Sequence, residues 1–468
     1  MLHFAAPSNS PSRDDRSLGE INGSVAVGSG GRLRRFLAFA GPAYLVSVGY
    51  MDPGNWATDL AGGSRYGYAL LWVILASSLM AVLLQTLCVR MGLAMEKDLA
   101  QACRDYYEKP VAIALWILCE IAIVACDVAE VIGSAVGLNL LFGMPLAMGV
   151  LVTGFDVLLL LALTRFGFRK IEAIVVTLVA TIFLCFAINM VWARPDWLGV
   201  AHGLVTPSLP DSHALLVAVG ILGATVMPHN LYLHSAIVQT RQVASTPGAK
   251  RSAMRMSTVD TVVALSGAFL VNAAILVLAA AVFHGKGSVV EELQQAYKLL
   301  TPTLGAASAT LFAVALLASG QSSTITATLA GQVVMEGFTH FRMAAWKRRL
   351  ITRSLALIPA VILVSTASNR TTELLVLTQV VLSMQLPFAI FPLVMFTSDK
   401  NRMGEFVNPA WLSAIAYLVC GLITALNVKL LWDSVGTAWL AAIILSIAGF
   451  AMWAQYVYKP ASTAYRAR

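Results

Sequence analysis

Charged residues are scarce in this 468-residue chain, of which Asp, Glu, Lys and Arg make up 12%, about half the share usual in soluble domains. A soluble core of this size would need far more charge to cover its surface. We therefore exclude a soluble enzyme, a nucleic-acid-binding protein and a disordered scaffold. Cysteine pairing is also missing, because none of the six cysteines forms a CxxC motif, and we expect buried free thiols.

Apolar residues are abundant instead, at 58% of the chain, and a membrane crossing needs about 20 of them. We predict an all-α polytopic membrane protein with about 12 transmembrane helices. The apolar segments cover residues 36–62, 68–94, 111–141, 147–164, 171–193, 212–240, 257–284, 302–335, 351–367, 372–397, 408–428 and 436–458.

Three regions follow from this pattern. Residues 1–35 are polar, rich in Ser, Gly and Arg, and contain no secretory apolar stretch, so we expect a disordered cytoplasmic tail. We expect residues 36–400 to form a ten-helix core, and residues 401–468 to add two helices and a short cytoplasmic C-terminus.

Lysine and arginine predict the orientation. With the N-terminal tail in the cytoplasm, six of the 32 basic residues fall outside, which leaves 26 inside; the six are Arg65, Arg194, Lys286, Lys298, Arg370 and Lys429. Because basic loops stay in the cytoplasm, both termini are expected there. The predicted location is the cell inner (plasma) membrane.

Two of the apolar segments are interrupted in the middle. The first contains Asp52-Pro53-Gly54-Asn55 and the sixth contains Met227-Pro228-His229-Asn230, 175 residues further on (227 minus 52). The second break comes five segments after the first. This spacing indicates two inverted five-helix repeats, each of which begins with a broken helix, the first and the sixth of the chain. Each proline frees the carbonyl four residues earlier, at Gly49 and at Ala224.

These breaks bring metal-binding groups to mid-membrane. Facing breaks would combine the Asp52 carboxylate, the Asn55 amide, two free carbonyls and the Met227 thioether. A carboxylate at this depth is a functional candidate by default, whereas a lone proline kink usually means little. The set suits a divalent cation, and sulfur favours a transition metal.

These motifs closely resemble the Nramp family of proton-coupled divalent metal transporters. Further matches are Gly320–Thr326, Gly331–Gly337 and Gln379 through Gln385–Phe388. The resemblance implies a LeuT-type fold that imports Mn²⁺ or Fe²⁺ with H⁺, with Cd²⁺, Co²⁺ and Zn²⁺ as further candidates. By the match, the metal ligands are Asp52, Asn55, Met227 and the Ala224 carbonyl, with the Gly49 carbonyl and Gln379 joining them.

Three acidic residues mark a separate stripe in the third segment. At about 100° per residue, Asp127 lies about 20° and Glu130 about 80° from Glu120 on a helix, so all three share a face. The stripe indicates a proton relay or a structural hydrogen-bonding seam. The resemblance implies the relay, with His229 and Arg353 as partners.

Other interpretations stay open. His229 suits proton transfer or metal ligation, and Arg353 also suits a topology role at the membrane surface. A LeuT-fold cation-coupled amino-acid symporter is the alternative function, and an intramembrane metalloenzyme is less favoured because no HExxH motif occurs. We expect no prosthetic group, nucleic acid or obligate protein partner, and metal ions, protons and the lipid bilayer as the partners. Asn272 is expected to hydrogen-bond between helices.

Overall fold

The computed structural model describes residues 38–155, 168–284, 292–341, 343–366 and 370–457, together with Leu18, 22–25, Val27 and Val290. Most of these residues lie in helices. No β-strand occurs in these ranges. The helices are α1 Pro42–Gly49, α2 Pro53–Tyr66, α3 Leu71–Met95, α4 Leu99–Tyr106, α5 Lys109–Phe142, α6 Leu146–Thr153, α7 Phe168–Ala193, α8 Trp197–Val205, α9 Ser212–Thr225, α10 Pro228–Ile237, α11 Pro247–Val282, α12 Leu293–Leu304, α13 Ala306–Thr339, α14 Ala345–Thr366, α15 Thr371–Thr397, α16 Lys400–Met403 and α17 Ala410–Val457.

The two predicted helix breaks are confirmed. The helix α1 ends at Gly49 and α2 begins at Pro53, with the Asp52 carboxylate as the N-cap that accepts the Asn55 N–H. The helix α9 ends at Thr225 and α10 begins at Pro228. A proline is favourable in the first turn of a helix, because its missing N–H has no intrahelical partner there. Each motif therefore restarts a helix inside the bundle.

Small residues let the broken helices lie close to their neighbours. A Cβ at Gly133 of α5 would lie 2.1 Å from the Pro53 Cβ, and one at Gly63 of α2 would lie 2.3 Å from the Leu276 carbonyl oxygen of α11. Only glycine permits these contacts, so α5 packs closely against the first residue of α2 and α11 against the C-terminal part of α2.

Eight helices in the described ranges are long and apolar enough to cross a membrane, counting α9 and α10 together. The expected count of 12 is not confirmed. The two segments expected at 408–428 and 436–458 form one uninterrupted helix, α17. No proline separates them, and Lys429 pairs with Asp433 one turn on at 2.6 Å, which favours continued helix. Part of segment 147–164 lies outside the described residues.

Part of the predicted tail, 1–35, lies against the bundle. The Gly23 N–H donates to the Gln239 carbonyl and the Val25 N–H to the Thr240 carbonyl, both at 3.0 Å. Val25 is buried. We call the end of the bundle where this segment lies the inner end, and the opposite end the outer end.

Candidate metal centre

The Asn55 side chain joins the two helix breaks. Its amide Nδ2 donates to the Ala224 carbonyl at 3.1 Å, to the Asp52 Oδ1 at 2.7 Å and more weakly to the Gly49 carbonyl at 3.4 Å. Asn55 and Ala224 are 169 residues apart in sequence. The predicted meeting of the two breaks thus holds for four of the six candidate ligands, with Asn55 at their centre.

Asn272 of α11 holds the unwound backbone from the other side. Its Nδ2 donates to the Tyr50 carbonyl at 2.7 Å and to the Asn55 Oδ1 at 3.3 Å, so the expected interhelical hydrogen bond is confirmed. The Met51 carbonyl accepts the Trp56 Nε1–H at 3.1 Å and the Ser319 hydroxyl. These bonds satisfy the backbone groups that the break leaves without helical partners.

The other two candidate ligands are also buried at the centre. Met227 caps α10 and is fully buried beside Cys126 and Leu382. Gln379 of α15 lies against Gly54, where an added Cβ would meet the Gln379 Nε2 at 1.7 Å.

Two buried oxygens at this centre, Asp52 Oδ2 and Gln379 Oε1, accept no hydrogen bond. Such oxygens are costly to bury and are ready to bind a cation. In the described part of the chain no group of three His, Cys, Asp or Glu side chains is placed to hold a metal, so the candidate donor set is one carboxylate with amides, carbonyls and a thioether.

A buried ion network connects α5 with α14. Arg349 Nη1 pairs with Asp127, and its Nη2 lies 3.2 Å from Glu130 Oε2. Arg353 lies 3.8 Å from the same Glu130 oxygen, and its Nη1 donates to the Asp127 carbonyl at 3.4 Å. The Thr324 hydroxyl donates to Glu130 Oε2 at 3.0 Å. Two carboxylates and two guanidinium groups are thus buried together.

Glu120 lies apart from this network. It pairs with Arg348 at 2.8 Å and accepts the Trp116 Nε1–H at 3.0 Å, with 24% of its side chain exposed. Both residues of the pair line a cleft of about 450 Å³ with mostly apolar walls. The predicted stripe therefore divides into a buried part, Asp127 and Glu130, and a half-buried part at Glu120.

His229 is buried on α10, and its Nδ1 makes no hydrogen bond. The structure gives His229 no contact that separates proton transfer from metal ligation. His234, one turn on, has a partner: its Nδ1 lies 2.9 Å from Gln85 Oε1, and the Gln85 Nε2 donates to the Tyr50 hydroxyl at 2.6 Å.

Comparison with known proteins gives the family. The profile described as "Natural resistance-associated macrophage protein-like", Nramp, matches residues 43–433. The chain is 57% identical over 429 residues to the "Divalent metal cation transporter MntH" of Agrobacterium fabrum, covering 90% of this chain and 93% of that protein. The protein of the same name from a Nostoc species is 56% identical over 430 residues, covering 91% and 97%. The chain belongs to the Nramp family.

Solved structures agree with the Nramp assignment. A manganese transporter of Eremococcus coleocola, solved with an aromatic bis-isothiourea compound, superposes with a TM-score of 0.85 at 40% identity, covering 94% of this chain and 98% of that one. Mhp1, a nucleobase-cation-symport-1 family transporter, superposes with a TM-score of 0.60 at 15% identity, covering 97% and 96%. The likeness to Mhp1 supports the fold alone, and the expected LeuT-type architecture of this Nramp protein is confirmed.

Arg349 is central to the acidic network, yet its position in the sequence does not single it out. It contacts both Asp127 and Glu130, but as one of the 26 basic residues on the expected inner side it indicates only topology. A signal was present, because Arg349 and Arg353 are four residues apart and share a helix face. Arg348 was missed in the same way and pairs with Glu120.

Proposed function

We propose that this protein is a secondary transporter that imports divalent transition metal ions, Mn²⁺ or Fe²⁺, coupled to protons. The observation that carries the proposal is the position of Asn55 Nδ2 among the oxygens of Gly49, Asp52 and Ala224. Three oxygens converging on one point form a site that attracts positive charge. The metal ligands are Asp52, Asn55, Met227, Gln379 and the Ala224 and Gly49 carbonyls.

The chemistry of these groups supports a transition metal. Carboxylate, amide and carbonyl oxygens bind Mg²⁺, Ca²⁺ and Mn²⁺ alike, whereas a thioether is a soft ligand that favours the later metals. The relatives named as divalent metal cation transporters and the manganese transporter structure support the same substrate class. The protein is accordingly a transporter and not an enzyme.

Metal binding requires the Asn55 amide to turn. Its NH₂ group faces the three oxygens in the structure. A rotation of about 180° about the last side-chain bond exchanges the NH₂ group for the amide oxygen, which then faces the metal together with the other three oxygens. Asp52 supplies the negative charge, and a proton on its carboxyl leaves when the dication binds, because the dication disfavours the neutral acid. Rocking of the first and sixth segments against the rest then releases the metal at the inner end.

Protons leave the centre by a separate route, which runs through His229, Glu130, Asp127, Arg353 and Glu120. The buried cluster supports this part of the proposal, because Asp127 and Glu130 contact the same guanidinium and so offer two neighbouring carboxylates as successive proton acceptors. Arg349 joins the route, since it touches both Asp127 and Glu130.

An amino-acid symporter is the alternative on this fold, since the Mhp1 fold also serves organic substrates. A substrate carboxylate would have to sit beside the unpaired Asp52 Oδ2, and like charges at this distance repel strongly. The metal is therefore favoured. We also propose that the protein lies in the inner (plasma) membrane, and the basic-residue bias supports cytoplasmic positions for both termini.

Uptake of radioactive Mn²⁺ into proteoliposomes, with and without an inward proton gradient, tests the proposal. Asp52→Asn keeps the shape of the site but removes its charge, and we expect uptake to fall to background. The matched control is Asp433→Asn, which removes an exposed carboxylate of α17 and should leave uptake unchanged. Full uptake by Asp52→Asn, or inhibition of wild-type uptake by alanine or leucine, would contradict the proposal.

A further inference from the structure

A cleft between α5, α13 and α14 lies apart from the metal centre. Its volume is about 450 Å³ and its walls are mostly apolar. The walls include four apolar side chains that are 49–53% exposed, namely Ile117, Ile121, Ile351 and Leu355. Because α5 is long and apolar enough to cross a membrane, isoleucines exposed on it face acyl chains. The cleft therefore opens sideways into the bilayer.

The cleft lies at the inner end of the bundle. Its wall includes Met343, which lies in the loop between α13 and α14. The end of α13 is close to the N-terminal residues that mark the inner end, since the Leu18 N–H donates to Glu336 Oε2 at 2.8 Å. Trp116 also lines the cleft, and tryptophan is enriched at the level of the lipid headgroups. The position of the cleft thus matches the boundary between headgroups and acyl chains of the inner leaflet.

Glu120 and Arg348 form an ion pair in these apolar walls. The Arg348 Nη2 donates to both oxygens of Glu120, at 2.9 Å and 2.8 Å, and the Trp116 Nε1–H donates to Glu120 Oε1. These bonds use one of the three guanidinium nitrogens and leave the carboxylate able to accept more hydrogen bonds. Glu120 is only half-buried. A ligand in the cleft therefore meets a negative and a positive group side by side.

We propose that the cleft binds one phospholipid of the inner leaflet whose headgroup contains a phosphate and an ammonium with N–H donors, as in a phosphatidylethanolamine. The phosphate lies toward the Arg348 guanidinium, the ammonium donates to the Glu120 carboxylate, and an acyl chain fills the apolar part of the cleft. The inference goes beyond metal transport, and its test contains no metal.

The paired charges select this class of lipid. An anionic headgroup without an ammonium is attracted by Arg348 but repelled by the adjacent Glu120. A trimethylated ammonium, as in a phosphatidylcholine, has no N–H to donate to the carboxylate, and so it lacks the charge-assisted hydrogen bond that the primary ammonium makes.

Quenching of Trp116 fluorescence by lipids with brominated acyl chains measures the occupation of the cleft. The chain contains 10 tryptophans, so the signal of Trp116 is the difference between the unmodified protein and Trp116→Phe. Purified protein in detergent is titrated with brominated phosphatidylethanolamine or brominated phosphatidylcholine, which differ only in the methyl groups on the ammonium. We expect the ethanolamine lipid to reach half-quenching at a mole fraction about fivefold lower, because one hydrogen bond changes an equilibrium by about this factor.

Glu120→Gln keeps the shape of the pair and removes its negative charge, so we expect the two lipids to quench this variant equally. The matched control is Asp433→Asn, which removes a carboxylate that also pairs with a basic residue, Lys429, but lies on α17. This control should keep the fivefold preference. Native mass spectrometry of delipidated protein with either lipid added gives a second readout that does not depend on Trp116. There we expect one ethanolamine lipid on the unmodified protein and on Asp433→Asn, and none on Glu120→Gln.

Two results would overturn the proposal. Equal quenching of the unmodified protein by both lipids would show contact with bulk bilayer lipid only. A preference that Glu120→Gln retains in full would show that the ion pair does not select the headgroup.

Discussion

The buried guanidinium of Arg349 is the charge on which the network between α5 and α14 depends. It contacts Asp127 and Glu130, and all three side chains are at most 1% exposed. Arg353 is a second cation, but it lies farther away, at 3.8 Å from Glu130. Arg349→Met keeps much of the side-chain volume and removes the charge, which leaves two buried carboxylates with the single guanidinium of Arg353.

The expected loss of stability is large. Removing one partner of a buried ion pair costs about 3–5 kcal/mol, because the remaining charge has no compensation. Adding Asp127→Asn to Arg349→Met removes the carboxylate that lost its partner and leaves Glu130 with Arg353. We therefore expect the double variant to recover most of the loss and to be more stable than Arg349→Met alone.

Equilibrium unfolding in mixed micelles of a mild detergent and dodecyl sulfate measures these free energies. The neighbouring Arg348→Met is the matched control, since its partner Glu120 is 24% exposed, and partly solvated pairs contribute about 1 kcal/mol or less. A double variant no more stable than Arg349→Met would refute the reasoning, as would an equal loss from Arg348→Met.

Three further changes give separate tests. Gly133→Ala places a Cβ 2.1 Å from the Pro53 Cβ, so we expect Mn²⁺ binding by calorimetry to weaken at least tenfold, whereas Gly267→Ala, with nothing within 4 Å, should bind normally. Met227→Ala should keep Mn²⁺ uptake but let Ca²⁺ and Mg²⁺ compete more strongly, and unchanged competition would contradict the role of sulfur. Burial raises the pKa of Glu292 above its ordinary 4.5, although hydrogen bonds from the N-terminus of α15 oppose this rise. The contribution of Glu292 to stability is therefore present below pH 4.5 and is lost as the pH rises through the raised pKa. Glu292→Gln should flatten this decline of the thermal midpoint with pH, and an unchanged slope would contradict the expectation.

The parts of the site that depend on backbone chemistry were predictable from sequence. Proline leaves a specific carbonyl without its helical partner, so Pro53 and Pro228 located both breaks and the Gly49 and Ala224 oxygens. Asn272 was predictable for a similar reason, since an amide in an apolar segment needs a partner. Each of these inferences uses only local spacing and the absence of water in the membrane.

The remaining parts depend on which side chains meet across the bundle. Arg349 and Arg348 are adjacent in sequence, yet one pairs with two buried carboxylates and the other with the half-buried Glu120. A positive charge near a segment end predicts topology equally well in both cases, so composition alone does not separate them. The continuous helix α17 was missed because charges such as Lys429 and Asp433 resemble a loop when their pairing along one helix face is ignored.

The Asn55 amide also bears on the half of the cycle in which no metal is carried. A carrier that works by alternating access must return without cargo, and a bare carboxylate beside exposed carbonyl oxygens would be costly to enclose in the membrane. The NH₂ of Asn55 hydrogen-bonds to one Asp52 oxygen and to the Ala224 carbonyl. When no metal is bound, this uncharged NH₂ group gives the two oxygens hydrogen bonds that replace part of the electrostatic stabilisation by the metal ion. Replacing this amide should therefore slow the return of the metal-free transporter as well as lower its affinity for the metal ion.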